Sequence, residues 1–91
     1  MRFEWDEEKA KTNLRKHGVS FHEAATVFAD PLSLTYHDPD HSASEHRYIT
    51  VGVSRDGRGL MLAHADRAET VRIISARRTT RRERSQYEEN E

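Results

Sequence analysis

Six arginines lie close together near the carboxyl end of this 91-residue chain, between Arg72 and Arg84. Guanidinium groups have a fork of N–H donors that matches phosphate oxygens, and they stay charged at any physiological pH. A local excess of them favours contact with the phosphates of a nucleic acid. The alternative is a solvated surface balanced by nearby acids, which is the more common role of an arginine run.

Cleavage of RNA without a metal needs more than cations. When the 2′-hydroxyl attacks the adjacent phosphate, a base, an acid and positive charge near the phosphoryl oxygens are required. Arginine has too high a pKa to transfer protons efficiently at neutral pH. The titratable candidates are His17, His64, Glu45 and Tyr87. Three have a structural interpretation too: His17 as a cation at a helix C-terminus, His64 as a strand-end residue, and Glu45 as the partner of an arginine.

Other residues of chemical interest give weaker signals. The segment H-D-P-D-H at residues 37–41 contains imidazole and carboxylate groups of the kind that bind zinc or manganese. These residue types are also common in turns, and nothing in the sequence supplies groups to orient them as ligands. We therefore expect no metal and no cofactor. Trp5 and Tyr48 could stack on a base, but a lone tryptophan beside a helix start is more often a core residue.

The composition limits the possible functions. The absence of cysteine excludes disulfides, thiol catalysis and thiolate zinc sites. No apolar stretch is long enough to span a membrane, and the start of the chain lacks the apolar run of a secretory signal. We therefore expect a cytoplasmic protein that does not bind a membrane. A chain of 91 residues is expected to form a single domain, residues 1–91.

Charge is distributed unevenly along the chain. The net charge is only −1, but residues 1–46 contain five Lys or Arg and nine Asp or Glu, whereas residues 47–84 contain ten and four. The two segments therefore carry charges of about −4 and +6. We expect a dipolar domain with one basic side, on which the guanidinium groups near the carboxyl end gather in a single concave patch.

Hydrophobic periodicity and capping residues predict an α+β fold. Asp6 and Gly18 suit the start and end of a first helix, and Ser20 with Glu23 has the spacing of a reciprocal capping box for a second. The Asp56-Gly57 pair is a strong hairpin signal. The expected elements are a short strand at 2–5, helices at 7–17 and 20–30, strands at 32–36, 47–54, 58–64 and 70–77, and a helix at 81–89.

Several motifs occur together and in order along nearly the whole chain. They are F-E-W-D-E-E-K, N-L-R-K-H-G-V-S-F-H-E-A with V-F-A-D-P, E-H-R-Y-I-T-V-G-V-S, D-G-R, and R-I-I-S-A-R-R-T-T-R-R-E-R-S-Q-Y-E. With this combination the chain resembles the BrnT family of bacterial toxins. The family pattern usually has a second acid where this chain has His46, between Glu45 and Arg47.

The resemblance implies a RelE-like ribonuclease fold. Such a fold would have an antiparallel sheet of about four strands plus a short N-terminal strand, with two N-terminal helices and a C-terminal helix. The implied function is the toxin of a type II toxin–antitoxin pair, which cleaves RNA and is neutralised by a ribbon-helix-helix antitoxin that binds operator DNA. In RelE-like toxins, basic residues of the central strands and a tyrosine near the C-terminus act in catalysis, and Arg77 and Tyr87 match that layout.

These interpretations together predict a metal-independent endoribonuclease toxin that inhibits translation and growth. The expected catalytic residues are Arg77, Tyr87, His17 and Glu45. The expected RNA-binding residues are Arg47, Arg72, Arg78, Arg81 and Arg82. The alternatives are a module that binds nucleic acid without cleaving it and a basic surface that only docks a protein partner. We expect an antitoxin to cover the Arg72–Arg84 region or displace the last helix, in a complex weakened by salt.

Overall fold

A computed structural model describes residues 1–41 and 46–89 of the chain. Its helices and strands, in order, are β1 (Arg2–Glu4), α1 (Glu7–His17), α2 (Phe21–Ala25), β2 (Leu34–His37), β3 (Arg47–Val53), β4 (Gly59–Arg67), β5 (Thr70–Arg78) and α3 (Arg81–Glu89). Short 3-10 helices follow α2 and β2, at Thr26–Ala29 and Pro39–His41. The predicted element types and their order are confirmed, with shifts of a few residues at several ends.

The strands of the described residues form one sheet in the order β1-β5-β4-β3-β2. β2 to β5 pair antiparallel with their neighbours, as expected, but β1 runs parallel to β5. The sheet is therefore mixed, and the expectation of a purely antiparallel sheet is wrong for this edge. A parallel pair needs a long connection, which the intervening helices and strands provide because β1 and β5 lie at opposite ends of the chain.

The helix caps agree with the sequence at α1 and only partly at α2. The Asp6 carboxylate accepts hydrogen bonds from the N–H groups of Glu8 and Lys9, and Gly18 ends α1 with φ of 70°. Ser20 caps α2 by accepting from the N–H of Glu23 at 3.0 Å. The Glu23 carboxylate binds residues of the β3–β4 hairpin, so the predicted reciprocal capping box is wrong there. α2 is also shorter than expected, because the chain continues as a 3-10 helix.

α1 and α2 pack on one side of the sheet, which we call the helix face. Trp5 packs edge-on against Phe21, with ring centroids 5.9 Å apart, which supports its interpretation as a core residue. The buried core consists of Val19, Phe21, Ala24, Val27, Leu60, Leu62, Ile73 and Ala76. α3 lies on the other side, where Tyr87 shares a cavity with Val51 and Val53. None of the helices in the described part of the chain is long and apolar enough to cross a membrane.

A β-bulge at Ile74 decides which side chains of β5 share a face. His64 of β4 pairs with Ile73, and the neighbouring Ala63 pairs with Ser75, so Ile74 is an extra residue in β5. Side chains alternate along a strand, and an extra residue shifts that alternation by one. Ile73 and Ala76 are consequently both buried in the core. The residues that face the opposite side are Arg72, before the bulge, and Ser75 and Arg77 after it.

Candidate nucleic-acid interface

The side of the sheet opposite α1 and α2 has a pair of arginines in one cross-strand row. We call this side the open face. Arg47 of β3 is in register with Ala65 of β4, and Ala65 is in register with Arg72 of β5. Neighbouring strands are separated by about 4.8 Å, so the two arginine backbones lie roughly 10 Å apart on either side of a small, buried alanine. This spacing suits contacts with more than one phosphate of a single strand of RNA.

Arg77 lies on the same face, nearer to the start of α3. Its two terminal nitrogens donate to the two carboxylate oxygens of Glu83, at 2.8 and 2.7 Å. Hydrogen bonds from Arg77 hold the pKa of Glu83 below its ordinary value, although burial acts in the opposite direction. Thr80 and Glu83 also form a reciprocal capping box at the start of α3. The bidentate ion pair therefore joins the end of β5 to the first turn of α3.

Tyr36 of β2 is a further candidate that the sequence did not indicate. It is in register with Ile49 on the open face, and 52% of its surface is exposed. Burial of part of the side chain raises the pKa of the Tyr36 hydroxyl, the Glu83 carboxylate raises it further, and the Arg77 guanidinium acts against both. The hydroxyl thus lies within the electrostatic field of the Arg77–Glu83 pair. The alternation of β2 places Tyr36 on one face of the sheet. Alternation alone does not show which charged side chains of other strands lie near it on that face.

The predicted catalytic tyrosine, Tyr87, occupies a different position. It is 9% exposed, and its hydroxyl donates to Asp30 at 2.7 Å. The Asp30 carboxylate also accepts from the N–H groups of Leu32 and Val53. Burial raises the pKa of Asp30, but these hydrogen bonds outweigh burial and hold the pKa below its ordinary value. The hydrogen bond from Tyr87 to Asp30 therefore connects α3 to the segment that follows α2.

The other catalytic candidates are not brought together with Arg77. His17 is the last residue of α1 and lines a cavity of about 330 Å³ beside β5, with Lys16, Ile74 and Ser75 among its neighbours. Glu45 lies outside the described residues. In the described segments, no three or more His, Asp or Glu side chains are close enough together to hold a metal ion.

His64 takes part in a hydrogen-bonded chain whose two middle members are buried. Its Nδ1 is 2.7 Å from an Asp66 oxygen, and its Nε2 is 2.7 Å from the Thr50 hydroxyl, which is 2.8 Å from that of Thr35. The ring of Tyr48 stacks on the imidazole. His64 is 1% exposed and Thr50 is fully buried, so substrate cannot reach the imidazole. The structural interpretation of His64 is therefore the better one.

The arginines near the carboxyl end do not form a single patch. Arg72 and Arg77 lie on the open face, whereas Arg78 is in register with Leu60, whose side chain is in the core on the helix face. Arg81 and Arg82 lie in the first turn of α3. The expectation of one concave patch is wrong, because neighbouring residues of a strand point to opposite sides of a sheet.

The sequence and the fold of this chain are similar to those of known proteins. The chain matches, over residues 5–83, the family model described as "Ribonuclease toxin, BrnT, of type II toxin-antitoxin system", which places it in the class of type II ribonuclease toxins. Within that class it belongs to the BrnT family. Membership implies an RNA substrate and an antitoxin partner.

A solved structure shares the fold. The crystal structure of the Brucella abortus ribonuclease toxin BrnT, determined at 1.1 Å, superposes with a TM-score of 0.65. The match covers 89% of this chain and 99% of that protein, at 21% sequence identity. At this identity the likeness supports the fold and assigns no individual residues. A search of curated proteins finds no match.

Proposed function

We propose that this protein is an endoribonuclease that cuts RNA on its open face without a metal ion. The observation that supports this most directly is the placement of Arg47, Arg72 and Arg77 on one side of the sheet, in a chain of a ribonuclease toxin family. Guanidinium groups bind phosphate in a bidentate manner and stabilise the charge that builds up on the phosphoryl oxygens during attack. Arg47 and Arg72 would hold the RNA backbone, and Arg77 would contact the phosphate that is cut.

The proposed reaction begins with attack of the 2′-oxygen on the adjacent phosphorus. A new P–O bond forms, the bond to the 5′-oxygen breaks, and the products end in a 2′,3′-cyclic phosphate and a 5′-hydroxyl. Tyr36 is proposed as the acid that protonates the leaving 5′-oxygen, because its hydroxyl is exposed on the open face within the electrostatic field of Arg77 and carries a proton at neutral pH. Glu45, two residues before Arg47 in the sequence, remains the proposed base. The prediction of a catalytic role for His17 stays a prediction.

RNA cleavage in the presence of a chelator tests this function. Purified protein incubated with RNA and excess EDTA is expected to release fragments that end in cyclic phosphate. An Arg47→Gln/Arg72→Gln protein is expected to lose this activity, and Arg55→Gln, in the exposed β3–β4 turn, serves as the control with the same loss of charge per residue. RNA that is retarded in a gel but stays intact would support binding without catalysis. Activity abolished by EDTA would contradict the metal-free mechanism.

The two tyrosines are expected to respond differently to loss of the hydroxyl group. Tyr36→Phe should lower kcat for RNA cleavage by about 100-fold, the lower end of the effect of a positioned acid. Tyr87→Phe removes the hydrogen bond to Asp30 and should cost roughly 1 kcal/mol of stability while kcat stays within a few-fold of the parent. The measurements are single-turnover cleavage and urea unfolding. If Tyr87→Phe abolished cleavage in a folded protein, the original assignment of Tyr87 would be favoured.

We also propose the biological setting that the family suggests. The protein would act in the cytoplasm, inhibit translation and growth, and be neutralised by a ribbon-helix-helix antitoxin that links the complex to operator DNA. An antitoxin that covers the open face would block RNA directly, and salt should weaken such a complex. Co-expression with the adjoining reading frame, followed by growth measurement and co-purification, tests this. A complex in which Arg47 and Arg72 stay exposed would mean that inhibition works in another way.

A further inference from the structure

A cavity of about 370 Å³ lies where the end of β5 meets the start of α3 and the start of β4. It is separate from the row formed by Arg47 and Arg72. The residues that line it are Gly59, Arg78, Thr79, Thr80, Arg81 and Arg84. Three of the six are arginines and none is acidic, so the lining carries a strong positive charge.

Two of the three guanidinium groups are available to a ligand. Within residues 1–41 and 46–89, Arg78 and Arg81 make no ion pair, and both side chains are exposed. Arg84 pairs with Glu88, one turn further along α3, at 3.3 Å across an exposed surface, where such pairs contribute little. An anion that entered the cavity would therefore not have to break a strong ion pair at Arg78 or Arg81.

The nearest acids are occupied elsewhere. Glu83, in the first turn of α3, holds Arg77 on the open face through two hydrogen bonds. The pKa of Glu23 is held below its ordinary value mainly by the hydrogen bond from Arg58, and the charge of Arg78 contributes. The carboxylate of Glu23 is thus already neutralised by Arg58. Neither acid lines the cavity, so Arg84, through Glu88, is the one lining arginine with a carboxylate partner among the described residues.

The shape of the cavity depends on a glycine. Thr79 donates its N–H to the carbonyl oxygen of Gly59 at 3.0 Å, which brings the two backbones together. A Cβ atom at Gly59 would lie only 2.7 Å from the Thr79 hydroxyl oxygen, so a larger residue would displace Thr79, which lines the cavity. The lining therefore places the guanidinium groups of Arg78 and Arg81 beside this close backbone contact, which suits a tetrahedral oxyanion such as phosphate.

We propose that this cavity is a phosphate-binding subsite, which holds a backbone phosphate of the RNA strand that is cut on the open face. This inference rests on the proposed function. Arg77 and Arg78 are consecutive in β5 and point to opposite faces, so a strand that passes Arg77 and continues over the end of β5 arrives at the cavity. An RNA phosphodiester fits this path, because one polyanionic chain can contact both arginines.

The test uses RNA that binds but cannot be cut. A 2′-O-methyl oligonucleotide lacks the attacking hydroxyl, so its affinity reports the cavity independently of catalysis. We expect the Arg78→Gln/Arg81→Gln protein to bind it roughly tenfold more weakly, with the slope of log K against log salt reduced by about 0.7, because the neutralisation of one phosphate is lost. The control is Arg55→Gln, an exposed arginine of the β3–β4 turn that does not line the cavity. Its affinity should match that of the parent protein.

Two outcomes would overturn the proposal. The first is a double variant that is folded, as judged by its thermal unfolding, and binds the oligonucleotide as well as Arg55→Gln does. The second combines two results: inorganic phosphate shifts the amide signals of Thr79 and Thr80 in an NMR titration, but the double variant binds RNA as tightly as the parent. The cavity would then be a site for free phosphate only. A parent protein that binds the oligonucleotide through the cavity but never cleaves unmodified RNA would contradict the proposed function and leave this subsite standing.

Discussion

Replacing Arg77 with glutamine is expected to lower kcat for RNA cleavage by about 1,000-fold, the effect of removing a group that stabilises developing charge in a transition state. Arg77 is the arginine that we place at the cut phosphate, and its fork of donors is already held in a fixed orientation by Glu83. The phosphate must share or take over these donors as charge accumulates on its oxygens. Single-turnover cleavage of a short RNA under saturating protein measures the effect.

A matched variant separates the charge of Arg77 from its structural role. Glu83→Gln breaks the same bidentate ion pair and should loosen α3 to a similar extent, but it leaves the guanidinium group in place and free for phosphate. We expect it to cleave RNA at least as fast as the parent and to bind RNA more tightly. If both variants lost activity equally, the ion pair would matter only because it docks α3, and the assignment of Arg77 to the phosphate would be wrong.

Local sequence signals predicted the elements of the fold well. Asp6 and Gly18 mark the ends of α1 because capping depends on residues within one turn of the helix end. The Asp56-Gly57 hairpin and the alternation of Ile49 and Val51 likewise depend on near neighbours. The parallel pairing of β1 with β5 was missed, because it joins residues about 68 positions apart that have no local signal.

The arrangement of the candidate site was harder to predict, because one residue decides it. Arg72 and Arg77 are five positions apart, and in a regular strand an odd separation places side chains on opposite faces. The bulge at Ile74 reverses this and brings both arginines to the open face. A bulge of this kind depends on how two strands pair, and β-branched residues such as those around Ile74 do not indicate where it occurs. Arg78 follows Arg77 directly and faces away from it by ordinary alternation.

Contacts between distant residues explain the remaining differences. Tyr87 looked like a catalytic group because of its place near the C-terminus, whereas its hydroxyl reaches Asp30, 57 residues away. Tyr36 had no distinguishing neighbour in sequence and lies near Arg77 only because β2 and β5 share a sheet. Glu23 was expected to cap its own helix, but a guanidinium 35 residues away is a stronger partner for a carboxylate than a backbone N–H. The ion pair between Glu23 and Arg58 thus forms in place of the predicted reciprocal capping box.

The contact between Glu23 and Arg58 should be a major source of stability. Glu23 is 6% exposed, accepts two hydrogen bonds from Arg58, and accepts a third from the Ser54 hydroxyl at 2.8 Å. Arg58 also donates to the carbonyl oxygen of Gly18, so the group joins the end of α1, the start of α2 and the β3–β4 hairpin. Loss of the carboxylate charge would leave the partly exposed guanidinium group of Arg58 without its anion.

Glu23→Gln is therefore expected to lower the free energy of unfolding at pH 7 by about 2 to 3 kcal/mol, somewhat less than for a fully buried pair because Arg58 is 31% exposed. The control is Glu88→Gln, whose pair with Arg84 is exposed on α3 and should change stability by less than about 0.5 kcal/mol. Urea unfolding of the three proteins measures both values. Equal stability of the two variants would mean that the buried pair contributes no more than a surface one.

The pH dependence gives a second check on the same contact. The hydrogen bond from Arg58 lowers the pKa of Glu23 in the folded protein below the ordinary value of 4.5, so the unfolded state binds the proton more readily. The stabilisation is therefore complete above about pH 4.5, and it is lost as the pH falls through the lower pKa of the folded state. Unfolding measured from pH 7 to pH 3 should show the parent protein losing its advantage over Glu23→Gln in the acid range. An advantage that stayed constant across this range would show that the carboxylate charge is not the source of the stabilisation, since glutamine does not titrate.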